Sequence, residues 1–131
     1  MLYNYTTIQL FSAQRASLLP LPHPLPSDLA ELIARRFRVI GEPMRIRLLD
    51  RLRDGEATVG ELTDALGASQ QNVSKHLAVL AEVGIVGRRK EGNRVYYSVV
   101  DEGVFALCED VCGSLQRQLA SLHELMGAVV S

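Results

Sequence analysis

"SQQNVSKHLAVLAEVGIVGRRKEGNRVYYS", residues 69–98, changes its period partway through. As far as Val83 its apolar residues recur at helical spacing, and Val73, Leu77 and Leu80 fall on one side where they should face a core. After Gly84 the runs "IVGRRKE" and "RVYYSVV" read as two short strands joined by Gly92 and Asn93, a hairpin signal. Opposite the apolar side of the helix, Gln71, Lys75 and Ala78 point outward, with Asn72 and Ser74 on the flanks. That outward face is polar, nearly free of acids, and small at position 78. It suits a helix pushed into a major groove, where Gln and Asn pair with base edges and Ser or Lys meets phosphates. The hairpin adds Arg88, Arg89, Lys90 and Arg94 around its tip. Between Ser69 and Tyr97 five Lys or Arg stand against two acids, Glu82 and Glu91, in a chain of net charge −1. A basic tip beside a polar helix is the electrostatic footprint of DNA binding.

Working outward, the punctuation upstream is regular. Ser69 caps the helix just described, and only Gly67, Ala68 and Ser69 separate it from "VGELTDAL" (59–66). Thr58 and Glu61 have capping-box spacing and open that shorter helix. Pro43 suits the first turn of "PMRIRLLDRLRD" (43–54), which stops at Gly55. Ser27 or Asp28 can cap a first helix through about Ile40, with Leu29, Leu32, Ile33, Phe37 and Ile40 on one stripe and Gly41 at its end. Downstream, Asp101 caps a last long helix through about Val129. The order is four helices, a hairpin and a helix. Two helices joined by a tight glycine turn, followed by a hairpin, make a mainly α winged helix-turn-helix.

At 131 residues the chain holds one compact domain. Four prolines within "PLPHPLP" (20–26) cannot continue a helix or pair inside a sheet, so residues 1–26 read as an extension and linker, and 27–131 as the domain. His23 in that linker reads as a solvated side chain. No apolar run approaches the roughly 20 residues that cross a bilayer. The first residues lack the pattern of a secretory signal. The two cysteines are therefore expected as reduced thiols in a cytoplasm. No acid, base and nucleophile converge in a short motif, so catalysis is not expected.

The stretch 69–98, together with "GEPMRIRLLDRLRDGEATVGELTDALG" (41–67), closely resembles the ArsR/SmtB family of bacterial repressors, over about residues 28–100. The resemblance implies a homodimer formed through the first and last helices, a pseudo-palindromic double-stranded operator, and an inducer that lowers operator affinity. The residues that it and the outward face assign to DNA are Ser69, Gln70, Gln71, Asn72, Ser74 and Lys75 on the helix. On the wing they are Arg88, Arg89, Lys90, Asn93 and Arg94. His76, within "SKHL", is assigned with them, though it sits at the helix edge where it either contacts DNA or buttresses the helix. The other class of function open to this fold is a protein-interaction module without specific DNA binding.

The family's inducer sites do not carry over. Where the resemblance implies a Cys-x-Cys in the third helix, this chain has Thr63 and Ala65, neither of which supplies a thiolate. Where it implies an Asp-x-His and two later ligands around the last helix, the chain has Asp101, Gly103, Ser114 and Arg117, and an arginine has no lone pair to give. Asp110, Cys112, His123 and Met126 repeat that spacing about two and a half turns later, in a register that would move every ligand relative to the dimer axis. A cysteine on the second helix, as in sulfur-sensing members, is missing. Cys108 and Cys112 remain, four residues apart within the apolar stripe of the last helix. They read as small buried hydrophobes, or as a thiol pair about 6 Å apart that, doubled by a two-fold axis, offers four thiolates to a soft metal ion or arsenite.

Overall fold

The structure, a computed structural model, describes residues 21–130, with side chains described as far as Gly127. The readings of residues 1–20 lie outside the described residues. Helix α1 spans Ser27–Ile40. Neither Ser27 nor Asp28 caps it: the N-cap position is Pro26, and Asp28 Oδ1 accepts only the neighbouring Leu29 N–H at 3.1 Å. Pro26 already holds an extended backbone and has no N–H to satisfy, so the chain enters the helix directly from the proline run. The Gly41 N–H closes the helix on the Phe37 carbonyl.

Helix α2, Pro43–Leu52, has Pro at its first turn and takes its cap from Glu42, whose carboxylate accepts the Arg45 N–H at 2.9 Å. It ends two residues before the sequence pattern stops. A two-residue strand β1, Ala57–Thr58, leads into α3, Val59–Leu66. The capping box forms as expected: Thr58 Oγ1 accepts from Glu61 N–H, and the Glu61 carboxylate accepts from Thr58 N–H, each at 3.2 Å. Gly67 ends α3 at φ +62°, a left-handed conformation that a Cβ makes costly, and Ser69 Oγ then caps α4, Gln70–Glu82, by accepting the Asn72 N–H at 3.1 Å.

Strands β2, Val86–Glu91, and β3, Arg94–Val99, pair antiparallel in unbroken register from Val86↔Val99 to Glu91↔Arg94. Gly92 turns the hairpin at φ +61° while Asn93 stays at negative φ, the demand of a two-residue turn with glycine first. The expected two-stranded hairpin has a third member. β1 pairs with the far side of β3 through Ala57↔Tyr97 and Thr58↔Tyr96, giving the order β1-β3-β2. Helix α5, Gly103–Val130, follows; Asp101 Oδ1 accepts the Gly103 N–H at 3.2 Å, so Asp101 terminates the wing and starts the helix as the sequence implied.

One core joins these elements. Leu48 and Leu49 of α2, Leu62 of α3, Val73, Leu77 and Leu80 of α4, and Ile85 and Val86 at the wing's base are buried together. Each fully buried side chain of this size contributes about 1.5–3 kcal/mol. The consequence is positional: α4 is fixed by one apolar side, so its other side must face out. Helix α5 joins the core only through its first turns, where Val104 is buried and Phe105, Leu107 and Cys108 pack beside it. From Val111 to Met126 its large apolar residues stand in the open.

Candidate nucleic-acid interface

Ser69, Gln70, Gln71, Asn72, Ser74, Lys75 and Ala78 are all exposed along one side of α4, while Val73, Leu77 and Leu80 are fully buried on the other. The Ser69 hydroxyl already accepts the Asn72 backbone N–H, which leaves its own O–H free to donate. No carboxylate lies on this outward side before Glu82 at the helix end.

His76 departs from the set. It is only 9% exposed, and its Nδ1 lies 3.1 Å from Arg45 Nη1 and 3.7 Å from Glu42 Oε2. Arginine has only donors, so the shorter contact makes Nδ1 an acceptor and leaves the more distant carboxylate without a share of it. Arg45 also donates to the Val39 carbonyl at the end of α1. The backbone N–H of Arg45 holds the Glu42 carboxyl below the usual carboxylate range. Of the two roles open to His76, these contacts match the buttress: it fastens α4 to the α1–α2 corner.

On the wing, Arg88, Lys90, Asn93 and Arg94 are exposed. Arg88, Lys90 and Arg94, like Lys75 on α4, form no ion pair among the described residues. Arg89 differs although its sequence neighbours look equivalent. Its Nε and Nη2 fork onto Glu56 at 3.2 and 2.6 Å, and its Nη1 donates to Glu91 at 2.6 Å. The guanidinium carbon lies 4.8 Å from the centroid of the Tyr96 ring. The fork holds the Glu56 carboxyl low and raises the guanidinium further. Arg89 is thus committed to two carboxylates, unlike Arg88, Lys90 and Arg94.

Sequence reasoning missed a second tie. Arg36 of α1 donates through Nη2 to the Val83 carbonyl at 2.8 Å and pairs through Nη1 with Asp101 at 2.5 Å. It thus joins the end of α4 to the start of α5. Nothing in "LIARRFRVI" distinguishes Arg36 from Arg35 or Arg38, because the contact depends on elements 47 and 65 residues away.

The two cysteines do not share one environment. Cys108 is half-buried against the core, and burial pushes its thiol pKa up, with Arg53 nearby acting the other way. Cys112 is exposed. Of the implied ligand positions, Thr63 is half-buried in α3, Asp101 is engaged by Arg36, and Gly103 has no side chain. Among the described residues no three His, Cys, Asp or Glu side chains gather as a metal site. One half-buried thiol whose pKa burial raises and one exposed thiol make a poor donor set within a protomer.

The outer faces of α1 and α5 are apolar and open. Leu32 and Phe37 are exposed on α1, and Val111, Leu115, Leu119, Leu122, Leu125 and Met126 on α5. Leu32, Ile33, Arg36, Phe37 and Leu107 line a shallow apolar groove between the two helices. No helix among the described residues is long and apolar enough to cross a membrane.

Known proteins share this arrangement. A helix-turn-helix domain family matches residues 40–89. The chain is 34% identical over 96 residues to a transcriptional repressor SmtB homolog of Synechocystis, covering 73% of each. It is 38% identical over 85 residues to a probable mercury resistance operon repressor of Streptomyces lividans, covering 65% of this chain and 63% of that one. The homodimeric winged helix-turn-helix domain of Mb0332 from Mycobacterium bovis, described as a possible ArsR-family regulator, superposes with a TM-score of 0.63 at 29% identity. That match covers 70% of this chain and 88% of the other. With its helix-turn-helix, its wing and these relatives, the chain belongs to the ArsR/SmtB family of winged-helix transcriptional regulators.

Proposed function

We propose that the chain is a homodimeric, sequence-specific DNA-binding repressor of the cytoplasm, with residues 27–131 as its DNA-binding and dimerisation domain. One observation carries the reading: the outward side of α4, free of acids until Glu82 at its end, lies in the same small domain as a wing bearing three cations with no ion pair among the described residues. In this assignment Gln70, Gln71 and Asn72 meet base edges in the major groove, and Ser74, Lys75, Arg88, Lys90 and Arg94 meet phosphates. Ser69 and Asn93 donate to the backbone at the helix start and wing tip. The partner surface is the open apolar stripe of α5 with Leu32 and Phe37 of α1, which supports a two-fold dimer.

Release by a small inducer belongs to the same proposal. A ligand taken up on α5 acts through the dimer seam, because Arg36 ties the start of α5 to the end of the recognition helix α4. The mercury-repressor relative makes a soft ion the natural class to test, but the donor set of one protomer does not fit it, and Cys108 is assigned to packing. Selection from a random duplex library tests the core of the proposal. It should recover a pseudo-palindrome whose half-sites lie about 34 Å apart or a multiple of it. Recovery of no common sequence would refute it.

A further inference from the structure

In the sequence the four cations of the wing are interchangeable; in the sheet they are not. Side chains alternate across a strand, so Arg89 lies on the opposite face of β2 from Arg88 and Lys90. On its face the register places Tyr96 of β3 beside it and Thr58 of β1 beyond, a single row across all three strands. Glu56 sits immediately before β1, two residues ahead of Thr58, and Thr58 is the residue that caps α3. The fork from Arg89 to Glu56 therefore joins the wing to the segment leading into the first helix of the helix-turn-helix. A planar guanidinium bound to a carboxylate by two parallel bonds fixes direction as well as distance, which an ammonium cannot do.

Charge points the same way. One guanidinium stands between two carboxylates, Glu56 and Glu91, so the cluster as a whole is negative. A phosphate approaching Arg89 would have to displace a carboxylate from its fork. Arg88, Lys90 and Arg94 present no such obstacle.

We propose that Arg89 is a positioning residue, anchored by Glu56, that sets the angle of the wing against the helix-turn-helix and makes no phosphate contact of its own. The inference rests on the DNA-binding reading, and its test separates the two. Glu56→Gln, Arg89→Lys and Arg89→Ala are compared with wild type and with Arg88→Ala, each first checked for helix content and melting midpoint. Binding to a random duplex is titrated across salt concentrations, and hydrogen exchange at Val95, Tyr96 and Tyr97 is followed in the free protein. Glu56→Gln removes a negative charge near the DNA and so, on charge alone, should tighten binding. Positioning requires the reverse: binding weaker by up to about fivefold, the scale of one exposed charge-assisted pair, with the salt slope unchanged. Arg89→Lys, which keeps the charge and loses the fork, should behave like Arg89→Ala. Arg88→Ala should flatten the slope by about 0.9, one phosphate's worth. The three β3 amides should exchange faster in Glu56→Gln. Unchanged exchange, tighter binding by Glu56→Gln, or a slope flattened by Arg89→Ala and restored by Arg89→Lys would each overturn the proposal. Absence of any duplex binding by the wild type would refute the DNA reading instead, and the exchange rates would still decide the clamp.

Discussion

Truncating Leu115 and Leu122 to alanine together should break the dimer without unfolding the protomer. Both side chains are 53% exposed in the single chain, so they fill no cavity there and their loss creates none. Full burial of a leucine is worth about 1.5–3 kcal/mol, and covering the exposed half recovers about 1 kcal/mol. A two-fold interface counts each position twice, so the double variant loses about 4 kcal/mol of association energy. At 1.4 kcal/mol per factor of ten this raises the dissociation constant by roughly 700-fold. Sedimentation equilibrium from nanomolar to high micromolar concentration reads the shift, and far-ultraviolet circular dichroism checks helix content. Leu77→Ala is the contrasting control: Leu77 is fully buried, and its truncation should cost about 2–5 kcal/mol of protomer stability. An unchanged dissociation constant in the Leu115, Leu122 variant would place the seam elsewhere and refute the assignment of α5.

Four further outcomes follow from the same geometry. Gln71→Ala should lower the ratio of operator to random-duplex affinity by the roughly 1–3 kcal/mol of a base contact, with random binding unchanged; an unaltered ratio would mean that α4 is misplaced. Cys112, which is exposed, should react with a thiol probe at neutral pH well before the half-buried Cys108, whose thiol pKa burial raises. Cys108→Ala with Cys112→Ala should lower stability in urea by about 1–2 kcal/mol while operator affinity survives. Loss of arsenite- or cadmium-induced release in that variant would instead make the pair a sensor. The fourth outcome concerns acid: Glu56 is a carboxylate whose folded pKa is depressed, so its contribution is present above the unfolded value and disappears as pH falls through the folded one. Wing amides should stay protected on entering the ordinary carboxylate range and lose protection only below it; loss already within that range would contradict the fork.

How much of this the sequence carried depends on how local each cause was. The α3 capping box, the Ser69 cap, Gly67 and the Gly92-Asn93 turn are decided within three or four residues, and each appears where the spacing placed it. The outward side of α4 was legible because three buried residues fix the rotation of the helix. Strand β1 was not, since two residues, Ala57 and Thr58, carry no period of their own and exist as strand only by pairing with β3. The fork of Arg89 onto Glu56 and the contact of His76 with Arg45 were illegible for the same reason. Glu56 and Arg45 lie 33 and 31 residues upstream, and no local pattern links them. The cap of α1 failed through proximity to Pro26, which opened the helix without needing a side chain.

The central claim is that this domain grips the DNA backbone through a defined set of cations. In the proposed interface two copies of Lys75, Arg88, Lys90 and Arg94 would neutralise about eight phosphates, so log K for a random duplex should fall with log salt at a slope of about −7. A fluorescence-anisotropy titration across several salt concentrations measures this directly. A straight line near that slope, flattened stepwise as each of the four is replaced by alanine, is the predicted result. Binding indifferent to salt, or no binding to duplex at all, would contradict it.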